Sequence, residues 1–284
     1  MRTLPELDPL RVHAPESHAA FVAAAAHATA VLPAALAADV SLRIAAALGL
    51  PADVPGAGAG YAPLVEQFVV YSPGIDEQQK EAATAALPDE VGLDTFLYAV
   101  YVCDQIARQR LALGRFFAPL AVAPAEPAAA PAAADLSGAV GEVHAAAMRL
   151  DRLDPVTTEL VRLRAGDYHH CRICAALRLV DAAEAGADEA FLDQRRNFES
   201  SSLSAAHKAA LRLADAYMAN PAGIGEALVE DVRLHFEAAQ IVELLLDVSA
   251  FNLQKVYVTL GIDAAPTEGD LTLAFDDRGR AVIG

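Results

Sequence analysis

Tryptophan is absent from this chain of 284 residues and aromatic side chains make up only 6% of it, so a sandwich or barrel filled by large rings is a poor fit. Positive charge is scarce as well. Lys80, Lys208 and Lys255 are the only lysines, and 21 basic residues stand against 38 acidic ones for a formal net charge of −17. No local basic patch offsets that balance, which argues against nucleic acid and anionic lipid as partners. Strongly apolar runs are missing too. The longest candidate, Ala19 to Ala37, is mostly alanine and is interrupted by His27, Thr29 and Pro33, short of the roughly 20 apolar residues a bilayer requires. The segment MRTLPELDPLRVHAPESH lacks the apolar stretch of a secretory signal, so the expectation is a cytoplasmic protein. Cysteine is limited to Cys103, Cys171 and Cys174. In a reducing compartment these do not form a disulfide scaffold, and the C-x-x-C of Cys171 and Cys174 points to redox chemistry or metal.

What the chain has in quantity is alanine, the strongest helix former, and the reading is an all-α protein of helices packed closely through small side chains. Prolines 119, 124, 127 and 131 interrupt any helix and leave no periodic apolar face. They divide the chain into a helical domain without the cysteine pair (1–117), a Pro/Ala linker (118–137), a helical domain carrying the pair (138–265) and a tail (266–284). A smaller break runs from Pro51 to Pro63. The two helical domains look like related copies: LVEQFVVYSPGIDEQQ followed by LDTFLYAVYVCDQIARQRLALG has the layout of LRLADAYMANPAGIGEA followed by IVELLLDVSAFNLQKVYVTLG. Each reads as a helix, a Pro/Gly-Ile turn, a polar helix and a long apolar helix ending in Leu-Gly. Asp154-Pro155 reads as an N-cap with Pro at the first helical position, and Gly186 with Asp188 as one helix stopping and the next starting. In the tail, Leu271, Leu273 and Phe275 alternate before an Asp-Asp-Arg-Gly turn, which predicts a short β-hairpin.

Thr157 to Gly186 reads as two helices joined near Gly166. Val156, Leu160 and Leu163 form an apolar stripe and Glu159 shares it. An inward carboxylate has a raised pKa suited to a general base, whereas at the stripe's edge it would pair with Arg162 or Arg164; the helical wheel leaves both open. On the second helix Cys171, Cys174, Ala175 and Arg178 fall on one face, with Cys171 at the N-terminus, where free N–H groups favour a thiolate. Arg178 adds a fixed positive charge, and His169 and His170 are the nearest groups that titrate near neutrality. The same four Cys and His residues would make a cramped zinc site, and an inert buried pair is a further alternative. Cys103, in an apolar run, reads as core. Glu243 and Asp247 share a face with Gln240 and Gln254 and read as a solvated stripe, and His144, His207 and His235 have no evident partner.

The run E-L-V-R-L-R, the C-x-x-C whose first cysteine lies twelve positions after the Glu, and the downstream helix QIVELLLDVSAFNLQ together resemble the alkyl hydroperoxidase D / carboxymuconolactone decarboxylase family over roughly residues 150 to 262. The resemblance implies two helical halves of that fold. It also implies a thiol-dependent peroxidase in which Cys174 attacks a hydroperoxide, Cys171 resolves the sulfenic acid, and Glu159 and a histidine relay protons. No metal, flavin or haem is implied; a thiol reductant of lipoyl or thioredoxin type and homo-oligomeric assembly are. Where the family usually carries a histidine four residues after the second cysteine, this chain has Arg178, so either His169 or His170 substitutes as relay from the other side, or proton transfer is impaired and Arg178 acts by holding Cys174 as thiolate. The alternatives are a decarboxylase of the same superfamily and a non-catalytic redox-sensing or structural protein.

Overall fold

Alanine sets the spacing between helices in the computed structural model, which describes residues 8–54, 59–118, 132–265 and 271–284. Helix α1 (Asp8–His13) leads into α2 (Pro15–Val31), which buries Ala20, Ala24 and Ala28 at one-turn spacing. These small residues let α2 lie along α6 (Leu93–Phe116) and α7 (Leu136–Met148), the latter presenting Ala139, Val143 and Ala146. Between α2 and α6 run α3 (Ala34–Ala47), α4 (Ala62–Tyr71) and α5 (Glu77–Ala86). Beyond α7 come α8 (Pro155–His169), α9 (Arg172–Ala176), α10 (Val180–Glu184), α11 (Glu189–Asp193), α12 (Ala205–Ala219), α13 (Glu226–His235), α14 (Ala238–Phe251) and α15 (Gln254–Leu260). The fold is thus all-α, with one small sheet of β1 (Leu177–Leu179), β2 (Leu271–Phe275) and β3 (Ala281–Ile283). No helix among the described residues is long and apolar enough to cross a membrane. Most of the Pro/Ala linker, at 119–131, lies outside the described residues, as do 55–58 of the smaller break and 266–270 of the tail.

The main apolar core runs from Leu10 to Val256 and draws on both helical segments. The repeated order of elements is present: α4, a 3-10 turn at Ser72–Gly74, α5 and α6 are matched by α12, a 3-10 turn at Pro221–Gly223, α13 and α14–α15. Side chains repeat the match. Arg108 and Lys255 each stand six residues before the closing glycines, Gly114 and Gly261, and Val69 and Tyr217 each stand four before the turn prolines. Arg108 Nη1 donates to Tyr217 O at 2.7 Å and Lys255 Nζ to Val69 O at 3.5 Å, so each cation reaches the carbonyl of the other half. Between them Asn252 Nδ2 donates to Gln105 Oε1 at 3.3 Å, another matched pair. Arg108 Nη2 also donates to Val69 O at 2.6 Å, so the two cations share that carbonyl.

The expected hairpin forms, β2 and β3 being antiparallel with Leu273 opposite Ile283. A third strand, without a signal in the sequence, joins them. Leu177, Arg178 and Leu179 pair in parallel with Leu271, Thr272 and Leu273, and their alternation puts Leu177 and Leu179 into a second small core with Leu160, Leu163 and Leu273. Gly279, at φ +73°, closes the hairpin turn; a Cβ there would lie 2.0 Å from Ala145 O, so only glycine lets the turn seat on α7.

Asp154 caps α8 as read, its carboxylate accepting from Thr157 N at 2.9 Å and Thr157 Oγ1 at 2.6 Å, with Pro155 in the first turn. Asp154→Ala is expected to lower unfolding free energy by about 1 kcal/mol, read as a shift in urea midpoint at unchanged slope.

Candidate redox site

Helix α8 does not break at Gly166 but runs on to His169, and its end builds the site. His170 adopts the left-handed conformation (φ 53°), a state His reaches more readily than most residues, and this lets Cys171 N–H close back onto Gly166 O at 3.0 Å. The closure delivers Cys171 as the N-cap of α9 and Cys174 one turn later, and the two are joined as a disulfide with Cα atoms 5.3 Å apart. The N–H groups of the first two residues at that helix start are already taken. Asp263 accepts Arg172 N at 3.0 Å on its carboxylate and Ile173 N at 3.0 Å on its carbonyl, and the Arg172 guanidinium holds its carboxyl below the usual range. The expected thiolate-stabilising free N–H groups are therefore engaged elsewhere.

Glu159 combines the two alternatives left open by the sequence: it is fully buried and it pairs with Arg162, at 2.6 Å and 2.9 Å. It also accepts Leu179 N at 3.2 Å. Arg162 makes two further bonds, to Cys174 O at 3.0 Å and Leu177 O at 2.6 Å, tying α8 to the redox turn and to the start of β1. Glu159 thus reaches the cysteines through Arg162, a residue that the sequence offered only as its surface partner. Neutralised charge and satisfied carbonyls make this buried pair tolerable.

Two expected neighbours lie elsewhere. Arg178 does not share a helical face with the cysteines, because α9 ends at Ala176 and Arg178 sits on β1; its guanidinium turns to Glu189 and to the carbonyls of Ala175 and Leu177. The parallel pairing with β2 overrides helical continuation. His170 is exposed and turned toward Tyr71, its Nε2 lying 3.2 Å from that hydroxyl. His169 is buried in the shared polar core, bonded to Asn252 Oδ1 at 2.7 Å, and burial pushes it down to about 3. With both sulfurs bonded to each other and both histidines so engaged, the four do not converge on a metal. Glu243 and Asp247 are also corrected: both are buried, Glu243 accepting the N–H groups of Arg152 and Leu153 and Asp247 the hydroxyl of Thr158. Cys103 packs against the main core and burial pushes its thiol up to about 11.

Cys171 is 1% exposed, whereas Cys174 is 8% exposed and opens onto a cavity of about 480 Å³ between α7, α14–α15 and the hairpin. Its wall is mainly apolar, with Phe251, Leu273 and Phe275 prominent, and it includes His144, Gln254 and Tyr257. His144 packs against Phe251 and Phe275, and desolvation there lowers it to about 4, leaving a neutral imidazole at pH 7. His144 is the residue the sequence reading missed. It lies far upstream of the C-x-x-C, on a helix whose other face packs on α2, and no local spacing signals the meeting.

No family model matches the chain. Two proteins of Mycobacterium tuberculosis, uncharacterized protein MT2376 of strain CDC 1551 / Oshkosh and uncharacterized protein Rv2313c of strain H37Rv, are each 36% identical to it over 218 residues, covering 73% of this chain and 74% of the relative. Identity at that level over most of both chains shows common descent, and the protein belongs to the family of these two mycobacterial proteins.

Proposed function

We propose that the chain is a thiol-dependent peroxidase that reduces a hydroperoxide with the Cys171–Cys174 dithiol. The observation that carries this reading is the placement of a redox pair with one sulfur, Cys174, on the wall of an apolar cavity large enough for an organic substrate. In the reduced protein the Cys174 thiolate attacks the outer oxygen of ROOH, the S–O bond forming as O–O breaks, and the alkoxide takes a proton to leave as ROH. The Cys171 sulfur then attacks Cys174, the disulfide forms, and hydroxide leaves as water with a second proton. The hydroperoxide gains the two electrons the dithiol loses, and an external dithiol restores the pair. His144, on the same wall, is the histidine placed to meet the substrate and pass the proton. Glu159 and Arg162 act by holding the Cys174 backbone.

Reduced protein exposed to cumene hydroperoxide and analysed by mass spectrometry tests this. Wild type is expected to lose two thiols per chain and release cumyl alcohol, with Cys103 untouched. Cys171→Ser should stop at a sulfenic acid on Cys174, trapped by dimedone, and Cys174→Ser should consume no peroxide. Retention of both thiols under excess peroxide sinks the proposal.

A further inference from the structure

We infer that the cavity beside Cys174 is a binding site for an uncharged, mainly apolar molecule whose hydroxylic end is held by the carboxamide of Gln254. This deepens the peroxidase reading and rests on it for the identity of the reactive ligand, a hydroperoxide and its product alcohol both being hydroxylic.

Gln254 opens α15 at 5% exposure, and no described residue hydrogen-bonds its carboxamide; its Oε1 is buried with no partner. A buried carbonyl oxygen without a donor is unfavourable, and this one stands at the redox pair. A methyl group placed on Gly166 would meet Cys174 Cβ at 3.4 Å and Gln254 Oε1 at 3.6 Å, so the cysteine and the amide flank the same point of α8. Half a turn about the terminal torsion exchanges oxygen and nitrogen, which lets one carboxamide accept from a hydroxyl or donate to it. The rest of the wall selects against charge. Arg162 gives four of its five N–H groups to Glu159 and two carbonyls, Arg280 pairs with Glu142 at 3.0 Å, and among the described residues no other lysine, arginine, aspartate or glutamate lines the cavity. Phe251, Leu273 and Phe275 reward apolar surface and leave an ion desolvated without compensation. A cavity of about 480 Å³ suits a body of drug-like size rather than hydrogen peroxide.

The disulfide form, which cannot turn over, separates binding from chemistry. Three probes share one body: cumyl alcohol, tert-butylbenzene with methyl in place of hydroxyl, and dimethylphenylacetate with a carboxylate. Calorimetry should rank the alcohol first, the hydrocarbon lower and the carboxylate below detection. Gln254→Leu should weaken the alcohol about tenfold and erase its advantage over the hydrocarbon. The same variant should unfold at no lower temperature than wild type, because leucine removes an unpartnered polar group; a structural glutamine would give the opposite. The inference is overturned if the alcohol keeps its advantage in Gln254→Leu, or if the carboxylate binds as well as the alcohol. Binding of the alcohol in a protein whose thiols survive cumene hydroperoxide would sink the peroxidase reading and leave the binding site standing.

Discussion

Replacing Arg162 by methionine is expected to destabilise the protein by about 3–5 kcal/mol, measured as a fall in guanidinium midpoint. The side chain is 3% exposed and its partner Glu159 is 0% exposed, so removing the cation leaves a carboxylate inside the protein with Leu179 N as its remaining donor. The carbonyls of Cys174 and Leu177 lose their guanidinium at the same stroke. Two controls separate these losses. Arg162→Lys keeps the charge and forfeits the fork, and should fall between wild type and methionine. Glu159→Leu combined with Arg162→Met removes the stranded charge and should recover much of the loss, since an apolar pair of similar volume often substitutes for a buried ion pair. A single Arg162→Met variant within about 1 kcal/mol of wild type would contradict the assignment, because surface-like pairs contribute no more than that.

Arg162 also shows how far the sequence was legible. Features set by a few adjacent residues were: the Asp154-Pro155 cap, the Gly186–Asp188 stop and start, Cys171 at a helix N-terminus, the β-hairpin and the repeated order of helices. Features that depend on what lies opposite were not. Arg178 continues a helical period, but Leu177 and Leu179 gain more by alternating into the second core against β2 than by extending a helix of five residues. Glu243 and Asp247 make a polar face on α14, yet α14 is covered on every side, so the face meets the N–H groups of Arg152 and Leu153 and the Thr158 hydroxyl instead of water. His144 and Gln254 join Cys174 only because the hairpin and α15 close over the same space.

Acid should destabilise the protein through His169. Its Nε2–H donates to Asn252 Oδ1, whose own Nδ2 donates to Gln105 Oε1, and Gln105 Nε2 donates to Asp104 Oδ2, which also accepts Lys255 and shares its carboxylate with Arg108. Ser72 Oγ approaches the free Nδ1 at 3.5 Å. A neutral imidazole completes this chain. Burial first, and the nearby Lys255 and Arg108 charges besides, push the folded value from 6.5 down to about 3. The sign follows directly: below pH 6.5 the unfolded chain takes up a proton that the folded chain refuses, so the contribution is whole above that value and declines as pH falls toward 3. Other buried groups act in the same range, His144 in the same direction and the raised Glu243 and Asp247 carboxyls in the opposite one, but all persist in a His169→Gln variant. Glutamine keeps a donor for Asn252 and cannot titrate. Comparing unfolding free energies from pH 6.5 to about pH 4, wild type is expected to lose about 3 kcal/mol more than His169→Gln. Parallel curves for the two proteins, or an NMR titration of His169 with a midpoint near 6.5, would refute the burial-driven depression and with it the neutral imidazole that links the two halves.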